Sequence, residues 1–239
     1  MAWFIGPEEI NRGQDEQRLL SPKMKNVASD YARFQALGRQ LADDIEARYM
    51  AGPRDRNSPD YPWFDPSNRP TLVNGWRYPD VIKPFGAQLE QQHGALIGIL
   101  STDYGYAISQ RVIDMIEAIE PGVHHYLPLE ILQPDGSVHP DKRWLLNICT
   151  RAEVVDEEKS DVVRSPAPSD RWFTDRTKDR HIVLKAAETK RRAIWFEWRY
   201  QNLSALSVFV SDAFWDALQA AGVRGWEPNH SYPHHMDEI

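Results

Sequence analysis

Three charged residues have the chemical types that metal-dependent nucleases use. Asp135 follows Pro134, and further along the chain Glu157 and Lys159 are separated by one residue. In such enzymes carboxylates hold Mg²⁺, and a lysine helps to activate the attacking water. The spacing between Asp135 and the other two residues is loose, and Asp135 stands in a Pro-Asp-Gly sequence that is typical of a turn. A metal-dependent nuclease using Asp135, Glu157 and Lys159 is therefore the alternative to a non-catalytic protein.

The histidines and the single cysteine lack the spacing of a metal site. His124 and His125 have no cysteine or aspartate at metal-ligand distance along the chain. Cys149 lies in a predicted strand, where a buried thiol is expected, and one cysteine excludes an intrachain disulfide. A polar C-terminal segment holds the remaining cluster: His230, His234 and His235. The sequence also lacks a G-x-S-x-G, a P-loop and a dinucleotide fingerprint, so we expect no catalytic set, no cofactor and no metal.

Residues 154–161, with the sequence VVDEEKSD, form an acidic segment after a predicted strand. Its carboxylates can cap backbone amides, or they can pair with nearby arginines: Arg143, Arg151 or Arg164. They can also meet a basic face of a protein partner, since acidic inhibitors are steered electrostatically onto such faces. The residues that would do so are Asp156, Glu158 and Asp161.

The elements that position these residues begin with a predicted helix after Ser109, whose hydroxyl is expected to cap it. One apolar stripe marks this helix: Val112, Ile113, Ile116 and Ile119. Residues 121–122, Pro-Gly, end it. Alternation then predicts a strand over residues 125–132, a turn at 133–136 and a return strand at 143–149. The expected inward face of the first strand is Leu127, Leu129 and Ile131, while Pro128 suggests an exposed edge or a bulge.

Hydrophobic periodicity predicts a long helix over residues 29–50 that contains Gly38 as a possible break. Further strands are expected at residues 3–5, 95–100, 181–186, 193–200 and 208–210. A last helix begins after Ser211, carries Phe214, Trp215 and Leu218, and closes at Gly222. This strand-and-helix unit repeats the pattern around Ser109, 102 positions later. We favour coincidence over duplication because a single pair of units does not make a repeat array. The tail beyond residue 228 is expected to be loose.

The ordered set of motifs resembles a family of immunity proteins encoded beside polymorphic and type VI-delivered bacterial toxins. The motifs, in chain order, are I-S-x-R-V-x-D-x-I, L-P-L-E-I, D-G, W-L-L-N-I, V-V-D-x-E-x-S-D and L-x-V-F-V-S-D-x-x-x-D-A-L-x-x-A-G. The resemblance covers residues 106–226. It places Asp156, Glu158 and Ser160 on the acidic segment, and Ser211, Asp212, Asp216 and Gly222 on the terminal helix. Residues that recur in a family whose toxins differ are better suited to holding the fold, which favours the structural interpretation of the acidic segment.

The resemblance implies an α+β fold, with a mixed or antiparallel sheet and amphipathic helices packed on it. Residues 1–100 would be an N-terminal part with a helix and aromatic, proline-rich loops, packed on an immunity-type domain at 101–239 to give one folded unit. The implied function is a non-catalytic cytoplasmic protein that binds and neutralises a cognate toxin domain. The net charge of −7 argues against general nucleic-acid binding. No run approaches the ~18 apolar residues of a membrane span, so no membrane contact is expected.

The contacts with such a partner are expected in loops, where relatives can vary without disturbing the core. Large aromatic side chains commonly dominate protein interfaces. The predicted anchors are Trp63, Phe64, Trp76, Trp172 and Phe173. Carboxylates of the acidic segment, at Asp156, Glu158 and Asp161, are the lesser candidates and would steer the encounter.

Overall fold

The computed structural model of the 239-residue chain describes residues 2–7, 22–51, 83–164, 172–174, 182–197, 208–228 and 236–238. Over these residues the helices are α1 (Ala28–Ala51), α2 (Gln110–Ile119), α3 (Ala186–Thr189) and α4 (Asp212–Ala220). The strands are β1 (Ala2–Pro7), β2 (Met24–Asn26), β3 (Phe85–Leu89), β4 (Ile99–Thr102), β5 (Gly105–Ile108), β6 (His125–Leu132), β7 (Arg143–Asn147), β8 (Arg151–Ala152), β9 (Val162–Arg164), β10 (Trp172–Thr174), β11 (Ile182–Leu184), β12 (Ile194–Glu197), β13 (Val208–Ser211), β14 (Trp226–Pro228) and β15 (Met236–Glu238). None of the helices within these ranges is long and apolar enough to cross a membrane.

Two larger sheets carry the fold, and the N-terminal third contributes to both. The first has the strand order β2-β3-β6-β7-β5-β4, and the second has the order β14-β1-β13-β12-β8. Most pairs are antiparallel, but β3 runs parallel to β6, and β12 runs parallel to β8. Two small sheets join β9 to β10 and β11 to β15. The predicted α+β class with mixed sheets is therefore confirmed.

The β6–β7 hairpin forms where the alternating pattern predicts it. Leu127, Leu129 and Ile131 are buried, as the period of two requires. β6 is an interior strand, with β7 on one side and β3 on the other. The ladder with β3 begins at the pair Phe85 and Leu129. Pro128 lies one residue before that ladder, so its missing N–H removes none of the bonds to β3.

Phe34 of α1 is buried against the six-stranded sheet. Its ring meets Phe85 at 5.3 Å and Tyr104 at 4.9 Å, both edge to face. Tyr104 donates its hydroxyl to the Gly86 carbonyl at 3.0 Å, and burial raises the pKa of this phenol to about 12. Asp30 accepts a bond from the Gly86 amide at 2.9 Å, which joins the first turn of α1 to β3. The helix continues through Gly38 without the predicted break.

This sheet curls so that its two edges approach each other at one end. Asn26 lies in β2 at one edge, and Asp103 lies in the turn after β4 at the other edge. The Asn26 amide donates to the Asp103 carboxylate at 2.9 Å. Since Tyr104 from the same turn reaches across to β3, the sheet closes partly around the aromatic cluster of α1.

Helices α2 and α4 pack together between the two larger sheets. Val112, Ile113 and Ile116 share a buried cluster with Phe214 and Leu218. Strand residues from both sheets complete this cluster: Ile99, Ile108 and Leu146 from the first, and Ile5, Val208 and Val210 from the second. The two helices therefore join the sheets through one continuous apolar core.

The two strand–helix units noticed in the sequence have matching local geometry. Ile108 pairs with Ile99 in the first unit, and Val210 pairs with Ile194 in the second. At the start of each helix, the amide of the serine donates to the backbone carbonyl of the residue that precedes the first strand of the same unit. The distance is 2.9 Å for Ser109 and 3.1 Å for Ser211. The correspondence at 102 positions thus extends to an antiparallel strand pair followed by a helix in both units.

Three predicted details differ from the structure. Ser109 stands at the N-cap of α2, but its side chain makes no cap bond, because its own carbonyl accepts from the Val112 amide. Ser211 does cap α4, since its hydroxyl accepts from the Phe214 amide at 3.3 Å. The strand predicted at 95–100 begins only at Ile99, since the preceding residues form a loop. The tail that is expected to be loose contains β15, which pairs with β11.

Candidate functional site

The predicted aromatic anchors fall in two places. Trp63, Phe64 and Trp76 lie outside the described residues. Trp172 and Phe173 lie in β10, which pairs antiparallel with β9 so that Trp172 stands opposite Arg164. The backbone thus places this second pair of aromatic residues on a short two-stranded ribbon that directly follows the acidic segment.

The acidic segment, residues 154–161, is fixed to β11 by backbone and hydroxyl bonds. The Asp156 amide donates to the Val183 carbonyl at 2.7 Å, and the Lys185 amide donates to the Val154 carbonyl at 2.7 Å. Ser160 accepts from the Val183 amide at 2.8 Å through its hydroxyl. The segment is therefore held as an ordered turn.

Asp156 shapes this turn from within. Its Oδ1 accepts the Glu158 amide at 3.1 Å and the Lys159 amide at 3.2 Å, and Lys159 Nζ lies 3.9 Å from Oδ2. Glu158 and Asp161 are exposed on the same turn. The predicted amide capping is therefore confirmed for Asp156. The predicted pairing with Arg143 is wrong, because that guanidinium contacts Asp141 and backbone carbonyls.

The three residues of the nuclease pattern have structural contacts of their own. Asp135 Oδ1 accepts the amide of Ser137 at 2.9 Å and its hydroxyl at 2.7 Å, and these bonds lower the pKa of the Asp135 carboxyl. It lies in the β6–β7 connection, whereas Glu157 and Lys159 lie on the turn beside β11. Within the described ranges, no group of three or more His, Cys, Asp or Glu residues could hold a metal ion.

A buried Glu–His pair, which the sequence pattern did not reveal, connects the two larger sheets. Glu120 is only 6% exposed. Its Oε1 accepts the Thr150 hydroxyl at 2.6 Å, and its Oε2 accepts the Ala193 amide at 3.0 Å and meets His124 Nε2 at 3.1 Å. The Cys149 amide donates to His124 Nδ1 at 3.3 Å, so the ring hydrogen belongs on Nε2 and points at the carboxylate.

The electrostatics of this Glu–His pair favour an ionised carboxylate. Burial opposes ionisation of Glu120, but the bonds from His124, Thr150 and Ala193 outweigh it, so the pKa of this carboxyl lies below its usual range. Glu120 ends α2, Thr150 follows β7, and Ala193 precedes β12. The spacing of His124 four residues after Glu120 at a helix end is a sequence signal for this pair. Thr150 and Ala193, in contrast, come into contact with Glu120 only when the chain folds.

A loop at residues 93–97, between β3 and β4, is held by side chains from the β6–β7 connection; we call it the anchored loop. Gln133 Nε2 donates to the His93 carbonyl at 2.9 Å, and Gln133 Oε1 accepts the His93 amide at 3.4 Å. His139 Nε2 lies 2.6 Å from the Gly94 carbonyl. Both Gln133 and His139 are buried.

The second half of the anchored loop is held by a carboxylate and a guanidinium. Asp141 Oδ2 accepts the Leu96 amide at 2.9 Å, and Arg143 Nη2 donates to the Leu96 and Ile97 carbonyls at 3.1 Å each. The Asp141 amide donates to His139 Nδ1 at 3.0 Å, which leaves the ring hydrogen on Nε2, where it faces the loop. Four side chains thus satisfy six backbone groups of one loop.

The described part of the chain is therefore an α+β protein whose buried ionisable side chains bind backbone and each other. The sequence matches the immunity protein family Imm11 over residues 19–232, and the chain belongs to that family. A search of curated proteins finds no match. The family match begins at residue 19 rather than at 106, so it includes α1, β3 and the anchored loop as well as the motifs recognised in the sequence.

Proposed function

We propose that this protein binds a single cognate toxin domain and inhibits it without catalysis. The observation that carries the proposal is membership of the Imm11 immunity protein family over most of the chain. An immunity protein protects the cell that makes the toxin, so we place its action in the cytosol of that cell. We propose that the partner is delivered by a polymorphic or type VI system, as the motif resemblance implies.

The use of the buried polar side chains supports a non-catalytic mode of action. Glu120 and His124 are occupied with each other and with backbone amides, while His139 and Arg143 hold the anchored loop. A catalytic acid or base must be able to reach a substrate proton in a cleft. These four groups instead serve the backbone, which suits a protein that acts by presenting a fixed surface.

The proposed interaction is tight and has few dominant contacts. Because free toxin must be kept very low, we expect a nanomolar or lower Kd, which corresponds to about −12 kcal/mol or stronger. Trp63, Phe64, Trp76, Trp172 and Phe173 remain our predicted aromatic anchors. In the acidic segment, Glu158 and Asp161 are better placed for steering than Asp156, whose carboxylate already binds two amides of the turn.

The test is co-expression with the toxin domain encoded by the neighbouring gene. We expect rescue of growth and co-elution of the purified proteins. We also expect inhibition of the toxin to be complete at one molar equivalent of this protein. Glu157→Ala and Lys159→Ala should leave this inhibition unchanged, whereas under the alternative the chain would itself be a nuclease and would lose that activity in these variants. Failure of the wild-type chain both to rescue growth and to co-elute would refute the proposal.

If the variant with alanine at all five aromatic positions still rescues growth, the proposed immunity function stands. That result would show that these residues are not the anchors. The measured Kd of the five-alanine variant therefore separates the function from the choice of contact residues.

A further inference from the structure

The anchored loop has an unusual source of order. Loops at a protein surface are usually held by their own side chains or not at all, and they are more mobile than the elements they connect. Here the backbone of residues 93–97 is fixed by side chains that belong to another segment, three of which are buried: Gln133, His139 and Arg143. Burying polar and charged groups opposes folding unless they are bonded.

This arrangement gives the protein a loop of fixed shape, in which Leu96 and Ile97 pack partly against the core while Gly94 and Ala95 are exposed. In residues 93–97 and just before them, exposed positions predominate: Glu90, Gln91, Gln92, Gly94 and Ala95. A loop that is already ordered loses less conformational entropy when a partner binds, and this preorganisation raises affinity. The exposed residues of this loop and of the segment before it therefore suit a binding surface, while its last two side chains pack inward.

The neighbouring hairpin tip, residues 134–138, completes this surface. It is joined to the anchored loop through Gln133, which bonds to His93, and to β3 through Gln88, whose amide lies 3.3 Å from the Pro134 carbonyl. Within the described ranges, the one large hydrophobic side chain that is exposed is Val138, at 61%. Its backbone is held by a bridge to Leu132, so the backbone that carries this exposed side chain is fixed.

The hairpin tip also presents a fixed negative charge. Asp135 is exposed, and its bonds from Ser137 lower the pKa of its carboxyl and hold the side chain in one orientation. An apolar side chain with an oriented carboxylate three positions away matches the composition of a binding site with an apolar centre and a polar rim.

We propose that the anchored loop and the hairpin tip together form one part of the surface that contacts the toxin domain, in addition to the predicted aromatic anchors, an inference that rests on the proposed function. The occupant is a protein surface with an apolar depression that receives Val138 and a basic side chain that meets Asp135. Ala95 is exposed on the anchored loop, and Val138 is exposed on the hairpin tip. The buried side chains behind the loop position its backbone and do not touch the partner.

The test measures binding of the full-length chain to the toxin domain encoded by the neighbouring gene. Val138→Arg and Ala95→Arg each place a large charged side chain on the proposed surface at an exposed position. Ala118→Arg on α2 and Ala213→Arg on α4 are the matched controls, since both alanines are exposed and lie elsewhere. We expect Kd to rise at least about a hundredfold for the two surface variants and by less than threefold for the controls.

The outcomes separate the surface from the function. If the wild-type chain neutralises the toxin and both surface variants bind within threefold of it, the surface is wrong and the immunity function stands. If the wild-type chain neither binds nor neutralises, the proposed function fails, and this inference fails with it. If Val138→Arg changes the oligomeric state of the isolated chain in size-exclusion chromatography, the occupant is a second copy of the chain and not a toxin. Circular dichroism of each variant confirms that it is folded.

Discussion

The buried carboxylate of Glu120 gives the sharpest test of how this fold is held together. In the Glu120→Ala variant, the Ala193 amide and the Nε2 hydrogen of His124 lose their acceptor inside the protein, and the Thr150 hydroxyl loses its partner. Each buried donor left without an acceptor costs about 1–3 kcal/mol. Because the Thr150 hydroxyl can rotate, we count only the other two donors and expect a loss of about 2–6 kcal/mol in the free energy of unfolding.

The Glu120→Gln variant should lose much less. Its amide oxygen can accept from Ala193 and His124, and its amide nitrogen can donate to the Thr150 hydroxyl, which is able to accept. What is lost is the negative charge, whose bonds are stronger than neutral ones. We expect a loss of about 1–2 kcal/mol at pH 7, the difference between charged and neutral hydrogen bonds. This variant also keeps the test informative if Glu120→Ala does not fold.

The pH dependence provides a second measurement. The pKa of Glu120 is lowered in the folded state, so the stability contributed by its charge is present above the unfolded pKa of about 4.3. That contribution is lost as the pH falls through the lower, folded pKa. The wild-type chain should therefore have a larger free energy of unfolding than Glu120→Gln at pH 7. This difference should shrink below about pH 4, as the Glu120 carboxylate becomes protonated and loses its charge.

Urea unfolding followed by tryptophan fluorescence gives these free energies, since the chain has nine tryptophans. The matched control is Glu130→Gln, because Glu130 is exposed on β6. It should shift the free energy of unfolding by no more than about 0.5 kcal/mol. A Glu120→Ala variant that lost less than about 1 kcal/mol would show that this carboxylate does not hold the two sheets together as we argue.

The remaining predictions concern a helix cap, a glycine and the association rate. Ser211→Ala should cost about 1 kcal/mol through loss of the N-cap bond, whereas Ser109→Ala should cost less because its side chain makes no such bond; equal losses in urea unfolding would contradict this. Gly225→Ala should destabilise the fold severely, because φ is +117° and a Cβ would lie 1.9 Å from a backbone oxygen. Gly94→Ala, which has open space around the added Cβ, should be nearly neutral. The thermal unfolding midpoints of the two variants test this difference. If the acidic segment steers binding, the association rate with the toxin domain should fall as salt rises while the dissociation rate barely changes, and stopped-flow measurements that show the reverse would exclude steering.

Local sequence signals predicted the elements of this fold well. The helix around Phe34, the hairpin strands and the capped helix after Ser211 follow from periodicity, turn chemistry and capping, which act between residues close in the chain. The same signals failed at Ser109, where a carbonyl took the place of the hydroxyl, and at β15, where a three-residue strand pairs with β11 from far along the chain. Such errors are expected where a contact depends on distant residues.

The candidate site was harder to predict than the elements. The motif order identified the immunity family, and the acidic segment was correctly expected to contain an amide-capping carboxylate at Asp156. The anchored loop was not predicted, because each of its bonds joins residues about 40 to 50 positions apart. No periodicity in residues 93–97 indicates that Gln133, His139 and Arg143 hold their backbone.

The sequence by itself determined the class of fold, the approximate places of the main helices and strands, and the family, since these depend on local pattern and on the order of motifs. Only the tertiary structure decided which polar residues are buried and what they hold. Glu120 and Asp135 are both acidic residues beside turns, yet one is sealed between two sheets and the other is exposed at a hairpin tip. The difference arises from strand pairing across the whole chain, because burial and hydrogen-bond partners are properties of the packed molecule and not of the neighbouring residues.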